Sequence, residues 1–210
     1  MNIQSVYDQL HTTRIIPVLK IEDAEKAVPL AKALRDGGLP AAEVTFRTEA
    51  AEESIRRIAR ELPDVCVCAG TVLTPEQAER AVNAGARAVI SPGTNLETVD
   101  WCLAHEIPVI PGCATPSEIE ACMRKGLSLL KLFPAEVVGG TAMLKALSGP
   151  YASVRFMPTG GIKPGNVKEY LALSNVWCCG GTWLAPDSAL QAGDYAAIRA
   201  LAKEAAELCR

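Results

Sequence analysis

Ser128-Leu129-Leu130-Lys131-Leu132-Phe133-Pro134-Ala135-Glu136-Val137-Val138-Gly139-Gly140 is the stretch on which the reading of this chain turns. A short apolar run bounded by turn residues is the pattern of a buried strand. Its period of two puts Leu129, Lys131 and Phe133 on one face, with Leu130 and Leu132 on the other. A lysine is therefore aimed into an interior. Burying an ammonium is costly unless it is paired, so such a lysine either has a carboxylate partner or loses its proton easily and becomes a nucleophile. A snorkelling or purely ion-paired side chain is the structural alternative, and the surrounding chain decides between them.

Outward from this stretch, strand candidates begin near Ile15, Ala41, Val65, Arg87, Ile107, Ser128, Ser153 and Val176, spaced 20 to 26 residues apart. Helical segments fall between them, roughly over 23–37, 49–61, 74–84, 95–105, 115–125, 140–147 and 164–172, with a last one near 194–208. Strand–helix units at this spacing require parallel strands with helical crossovers, and eight of them close into a ring. The expectation is an α/β protein, a (β/α)8 TIM barrel forming a single domain over residues 1–210, with residues 1–12 as an extra helix capping one end. A doubly wound open sheet is the alternative. Helix boundaries are well marked: Thr74-Pro75-Glu76-Gln77 and Thr115-Pro116-Ser117-Glu118 each place a capping threonine, a proline at the first helical position and an acid or amide three residues after the cap. Gly37-Gly38, Gly85 and Gly126 stand where helices end.

The 210 residues are 49% hydrophobic, 21% charged and 5% aromatic, with a formal net charge of −3 and no basic stripe, which argues against nucleic acid or anionic membrane as partners. No signal peptide and no membrane-spanning run is evident, and a cytoplasmic location is expected. Cys66, Cys68, Cys102, Cys113, Cys122, Cys178, Cys179 and Cys209 contain no CxxC pair, so buried free thiols are expected rather than zinc or disulfides. With only His11 and His105, neither a histidine-rich metal site nor a serine–histidine triad is supported.

In such a barrel the chemistry sits where strands run out into the following loops. Glu43, Thr45 and Arg47 share one face of the second strand, so Glu43 faces the inward Lys131. A carboxylate that moves protons beside an amine that forms a covalent bond is the equipment of Schiff-base chemistry. Thr71 offers a hydroxyl, and Arg47 a planar fork for a carboxylate. The strand ends Ala69-Gly70-Thr71, Ser91-Pro92-Gly93 and Ile110-Pro111-Gly112 shape loops that approach a ligand closely. Pro158-Thr159-Gly160-Gly161 and Gly180-Gly181-Thr182 close the seventh and eighth strands, where these barrels usually bind phosphate, and Lys20 leaves the first strand beside the eighth.

These motifs, with Glu43-Val44-Thr45-Phe46-Arg47-Thr48, Ile90-Ser91-Pro92-Gly93 and Lys131-Leu132-Phe133-Pro134-Ala135-Glu136 as the most specific, resemble the bacterial 2-keto-3-deoxy-6-phosphogluconate (KDPG) and 4-hydroxy-2-oxoglutarate aldolases over almost the whole chain. The resemblance implies a class I lyase needing no cofactor and no metal, typically a homotrimer, that splits KDPG into pyruvate and glyceraldehyde 3-phosphate in the Entner–Doudoroff pathway. It implies Lys131 as the Schiff-base lysine and Glu43 as the proton carrier. Arg47, Thr71, Pro92 and Phe133 match the pyruvyl pocket, and Gly160, Gly161, Gly181 and Thr182 the phosphate end; the match at Lys20 is weaker. The expected partners are small molecules, a phosphorylated keto-deoxy sugar acid and pyruvate. Charge considerations lead to the further expectation that Glu43 acts largely through a water, without being locked in a tight pair with Lys131. A 2-keto-3-deoxy-6-phosphogalactonate aldolase, a sugar-phosphate isomerase or epimerase, and a non-catalytic sugar-phosphate sensor are the competing readings.

Overall fold

The Leu129–Leu132 run is a strand with all four residues buried, and it lies within a regular alternation of parallel strands and helices. A computed structural model describes residues 3–209, so Met1, Asn2 and Arg210, at the ends of the expected single-domain span, lie outside the described residues. The first half comprises α1 (Ile3–Thr13), β1 (Ile15–Leu19), a 3-10 turn at Ala24–Lys26, α2 (Ala27–Asp36), β2 (Ala41–Thr45), α3 (Ala51–Glu61), β3 (Cys66–Gly70), α4 (Pro75–Asn83), β4 (Val89–Ile90) and α5 (Leu96–Ala104). The second comprises β5 (Val109–Ile110), β6 (Gly112–Cys113), α6 (Pro116–Arg124), β7 (Leu129–Leu132), α7 (Gly140–Leu147), β8 (Arg155–Pro158), α8 (Val167–Leu171), β9 (Cys179–Gly181), α9 (Asp187–Ala192) and α10 (Tyr195–Leu208).

Every strand pair is parallel. The strands form two sheets, one of six in the order β5-β4-β3-β2-β1-β9 and one of three in the order β6-β7-β8. The expected fifth strand is thus divided between the sheets at Pro111. Proline has no N–H for the ladder, and the backbones crowd here: a Cβ at Gly112 would lie 2.2 Å from the Pro92 carbonyl oxygen. At the other end of the three-stranded sheet, isolated parallel bridges join Phe156 to Val176 and Thr159 to Gly180.

Alternation along the strands sorts the core into two layers. Ile16, Ala41, Cys66, Cys68, Ala88, Ile90, Ile110, Leu129, Met157 and Cys178 form one buried cluster with Val6 and Leu10 of α1. Leu130, Leu132, Val44, Val67 and Phe156 point the other way into a larger cluster shared with the helices. Half of its ten residues outside α1 are alanine or cysteine, small side chains that suit a space where many strands converge. The helix α1 covers one end of it, tied down by Gln9 Nε2 donating to Pro40 O (3.2 Å) and Trp177 Nε1 donating to Tyr7 O (2.9 Å). That leaves the opposite end of the strands open.

The expected caps are present: Thr74 accepts from the Gln77 N–H, and Thr115 with Glu118 completes a capping box. All eight cysteines are free thiols, seven of them buried. The six-residue α9 was not anticipated; it is too short to show an apolar period and has no side-chain N-cap hydrogen bond. Among the described residues no helix is long and apolar enough to cross a membrane.

Candidate active site

Lys131 stands on β7 between Gly112 of β6 and Met157 of β8, and only 4% of it is exposed. Its ammonium donates to Glu43 Oε1 at 3.0 Å and lies 5.4 Å from the centre of the Phe133 ring. Glu43, fully buried on β2, is in register with Val18 of β1 and Cys68 of β3. The expectation that Glu43 is not locked in a tight pair with Lys131 is therefore corrected: the two are in direct contact. With both groups out of bulk water, each charge is stabilised chiefly by the other, which draws them into contact.

Room for this carboxylate comes from Gly70, the last residue of β3. A Cβ there would lie 2.3 Å from Glu43 Oε1, so a side chain at position 70 and the observed Glu43 rotamer are incompatible. Beneath the pair lie neutral thiols. Burial pushes the Cys178 thiol up to about 12, and contact with Cys66 followed by burial pushes Cys68 up as well, so neither competes with Glu43 for the ammonium.

A cavity of about 120 Å³ opens above the pair toward the loop ends of the strands. Glu43, Arg47, Thr71, Pro92, Lys131, Phe133, Gly160, Gly161 and Thr182, all expected from sequence, line it together. Thr71 is held at φ +55°, a conformation that disfavours a residue with a Cβ and is tolerated where neighbours fix the chain. Ser91 Oγ donates to Gly93 O at 2.7 Å and steadies the loop that carries Pro92. Gly160 and Gly161 have φ +98° and +82°, forming a left-handed turn that residues with side chains adopt only under strain.

Two expected residues lie elsewhere. Gly181 is buried behind the cavity, where a Cβ would meet the Trp183 ring; its neighbour Gly180 lines the cavity instead, packed against Thr159. Lys20 is paired with Glu22 at 2.5 Å and borders an adjoining depression of about 400 Å³, which it shares with Arg47 and Thr182. The cavity also includes Val18 and Ile162, which the sequence did not single out, and Thr45, Thr159 and Gly180, which stood in the quoted motifs without a role of their own. Period-two alternation from Glu43 reaches Thr45, and the Pro158-Thr159 strand end reaches Thr159. Thr45 is spent on structure, donating to Leu19 O at 2.8 Å. Two buried oxygens on the cavity wall, Glu43 Oε2 and Thr159 Oγ1, have no hydrogen-bond partner among the described residues. Buried polar atoms without partners are uncommon, and here both belong to residues that line the cavity.

The arrangement offers a buried amine, a carboxylate in contact with it, an arginine fork and a glycine turn around one cavity. A family model described as "Aldolase: KDPG and KHG aldolase" matches residues 6–201. The chain belongs to the KDPG and KHG aldolase family. The 2-dehydro-3-deoxy-phosphogluconate aldolase of Treponema pallidum is 48% identical over 204 residues, covering 97% of each chain. The KHG/KDPG aldolase of Escherichia coli K12 is 49% identical over 198 residues, 94% of this chain and 93% of that one. Among solved structures, the KDPG aldolase of Legionella pneumophila, with pyruvate captured at low pH as a covalent carbinolamine intermediate, superposes with a TM-score of 0.91 at 41% identity, covering 97% of both chains. The similarity to these KDPG aldolases is thus spread over the whole sheet and helix framework that carries Lys131 and Glu43.

Proposed function

We propose that this member of the family is a class I aldolase that cleaves 2-keto-3-deoxy-6-phosphogluconate to pyruvate and glyceraldehyde 3-phosphate, and that also accepts 4-hydroxy-2-oxoglutarate. The observation that carries the reading is the Lys131 amine, buried in a cavity and 3.0 Å from Glu43. An ammonium cannot attack a carbonyl, so its proton passes along that hydrogen bond to the carboxylate, leaving a neutral amine and a neutral acid. The amine attacks C2 of the substrate, Glu43 returns the proton as water leaves, and an iminium forms on Lys131.

Glu43, ionised again and released from the ammonium, accepts the proton of the C4 hydroxyl. The C3–C4 electron pair moves to the iminium, giving an enamine of pyruvate while C4 becomes the aldehyde. Protonation of the enamine at C3 and hydrolysis of the imine by water then free pyruvate and restore the lysine. The iminium is the electron sink throughout. Arg47 and Thr71 hold the pyruvyl carboxylate, Pro92 and Phe133 enclose its apolar part, and the turn at Gly160 and Gly161 with Thr182 takes the phosphate. The unpartnered Glu43 Oε2 and Thr159 Oγ1 support a substrate whose hydroxyls lie between the two ends.

The two sheets belong, in this reading, to one closed (β/α)8 barrel and a single domain. The bridges from β8 toward β9 and the single residue between β5 and β6 support it. A homotrimer in the cytoplasm, serving the Entner–Doudoroff route, completes the proposal on the strength of the family. The test is a pyruvate-linked assay of KDPG cleavage with and without a chelator. Metal-independent release of pyruvate is expected; no release, or release abolished by chelator, would refute the reading.

A further inference from the structure

The Gly160–Gly161 turn has two consecutive left-handed residues, and its supports lie outside the cavity. The segment after β7 laces onto it through the backbone: the Ala135 N–H donates to Thr159 O at 2.8 Å and the Glu136 N–H to Gly160 O at 3.1 Å. The Glu136 side chain then crosses the face of Gly161, where a Cβ would lie 2.4 Å from Glu136 Cγ. On its far side, a Cβ at Gly140 would lie 2.9 Å from both Glu136 Oε1 and the Tyr170 hydroxyl. Two glycines thus form the notch in which this side chain runs. Tyr170 of α8, 1% exposed, donates its hydroxyl to Glu136 Oε1, with the start of α7 at Gly140 alongside. Burial and the adjacent carboxylate push the Tyr170 phenol up, so it remains a donor at neutral pH. Neither Glu136 nor Tyr170 lines the cavity.

We propose that the Glu136–Tyr170 hydrogen bond is a positioning device that locks the Gly160–Gly161 turn in its anion-binding conformation. It acts on the phosphate end and leaves the amine end alone, and it rests on the reading of this turn as the phosphate site. A turn free to leave its left-handed conformation binds in proportion to the fraction that remains competent. A hydrogen bond to a charged group is worth enough to change that fraction by about tenfold.

The experiment compares the wild type with Tyr170→Phe, Glu136→Ala and Glu136→Gln. Each is assayed for KDPG cleavage and, separately, for borohydride trapping of pyruvate, which has no phosphate. Tyr170→Phe and Glu136→Ala should raise the KM for KDPG about tenfold, with kcat and pyruvate trapping nearly unchanged. Glu136→Gln keeps a carbonyl acceptor for the tyrosine and should stay within about threefold of the wild-type KM. An unchanged KM in Glu136→Ala would overturn the proposal, as would a KM rise matched by an equal loss of trapping, or a Gln variant as impaired as the Ala one. Should Tyr170→Phe fold poorly, Glu136→Ala decides, since it truncates an exposed side chain. Failure of the phosphate reading itself would appear in the wild type, as an equal KM for KDPG and its dephosphorylated form.

Discussion

Gly70→Ala perturbs the lysine–glutamate pair without replacing either partner. Gly70 does not have a positive φ, so alanine adds one methyl and no backbone strain. That methyl would lie 2.3 Å from Glu43 Oε1 and 2.6 Å from Cγ, where ordinary contact begins at 3.4 Å. The carboxylate must therefore shift by about 1.1 Å, the difference between 2.3 and 3.4, out of the position from which it accepts the 3.0 Å hydrogen bond of Lys131. A displacement of about 1 Å in a reacting group costs on the order of 100-fold in rate. Overpacking adds a stability loss of about 1–3 kcal/mol. The assay couples pyruvate release from KDPG to lactate dehydrogenase and follows NADH, with a urea melt for stability. Gly93→Ala is the control, because a Cβ there has nothing within 4 Å, and it should leave stability within about 0.5 kcal/mol. If kcat of Gly70→Ala stays close to that of the parent, the claim that Glu43 must sit where it does is wrong.

Lys131→Met leaves Glu43 as an unpaired buried charge and should cost about 3–5 kcal/mol in a denaturant melt at pH 7. Adding Glu43→Gln should recover much of that loss; simply additive losses would show that the pair is not coupled. Burial raises the Tyr7 phenol from 10.0 and the Cys178 thiol from 9.0, each to about 12, so the folded state holds these protons more tightly than the unfolded one. Stability from these groups is complete below pH 9 and is lost as pH rises from 9 toward 12, so melts should show a falling midpoint over that window; a flat profile would contradict the burial of both.

The rhythm of strands and helices was legible because apolar runs and capping threonines are local signals, and Lys131 and Glu43 emerged together because a period of two fixes which residues face inward. What local pattern does not encode is closeness between segments. Gly70 reads as a loop glycine in Ala69-Gly70-Thr71, and only the placement of β2 against β3 shows that it clears space for Glu43. The division of the fifth strand at Pro111 depends on how near the Pro92 carbonyl comes to Gly112. Gly180 and Gly181 are indistinguishable as letters; which one faces the cavity is settled by where Trp183 packs. The direct Lys131–Glu43 contact was missed because sequence supplies the facing of a side chain, not the distance its tip reaches. Glu136 and Tyr170 are 34 residues apart and meet only through α7 and α8.

Covalent capture of pyruvate bears most directly on the account. Borohydride added with pyruvate to the wild-type protein, followed by peptide mass mapping, should place the reduced adduct on Lys131, and Lys131→Ala should carry none. An adduct on another lysine, or one that persists undiminished in Lys131→Ala, would contradict the assignment of this buried amine as the nucleophile.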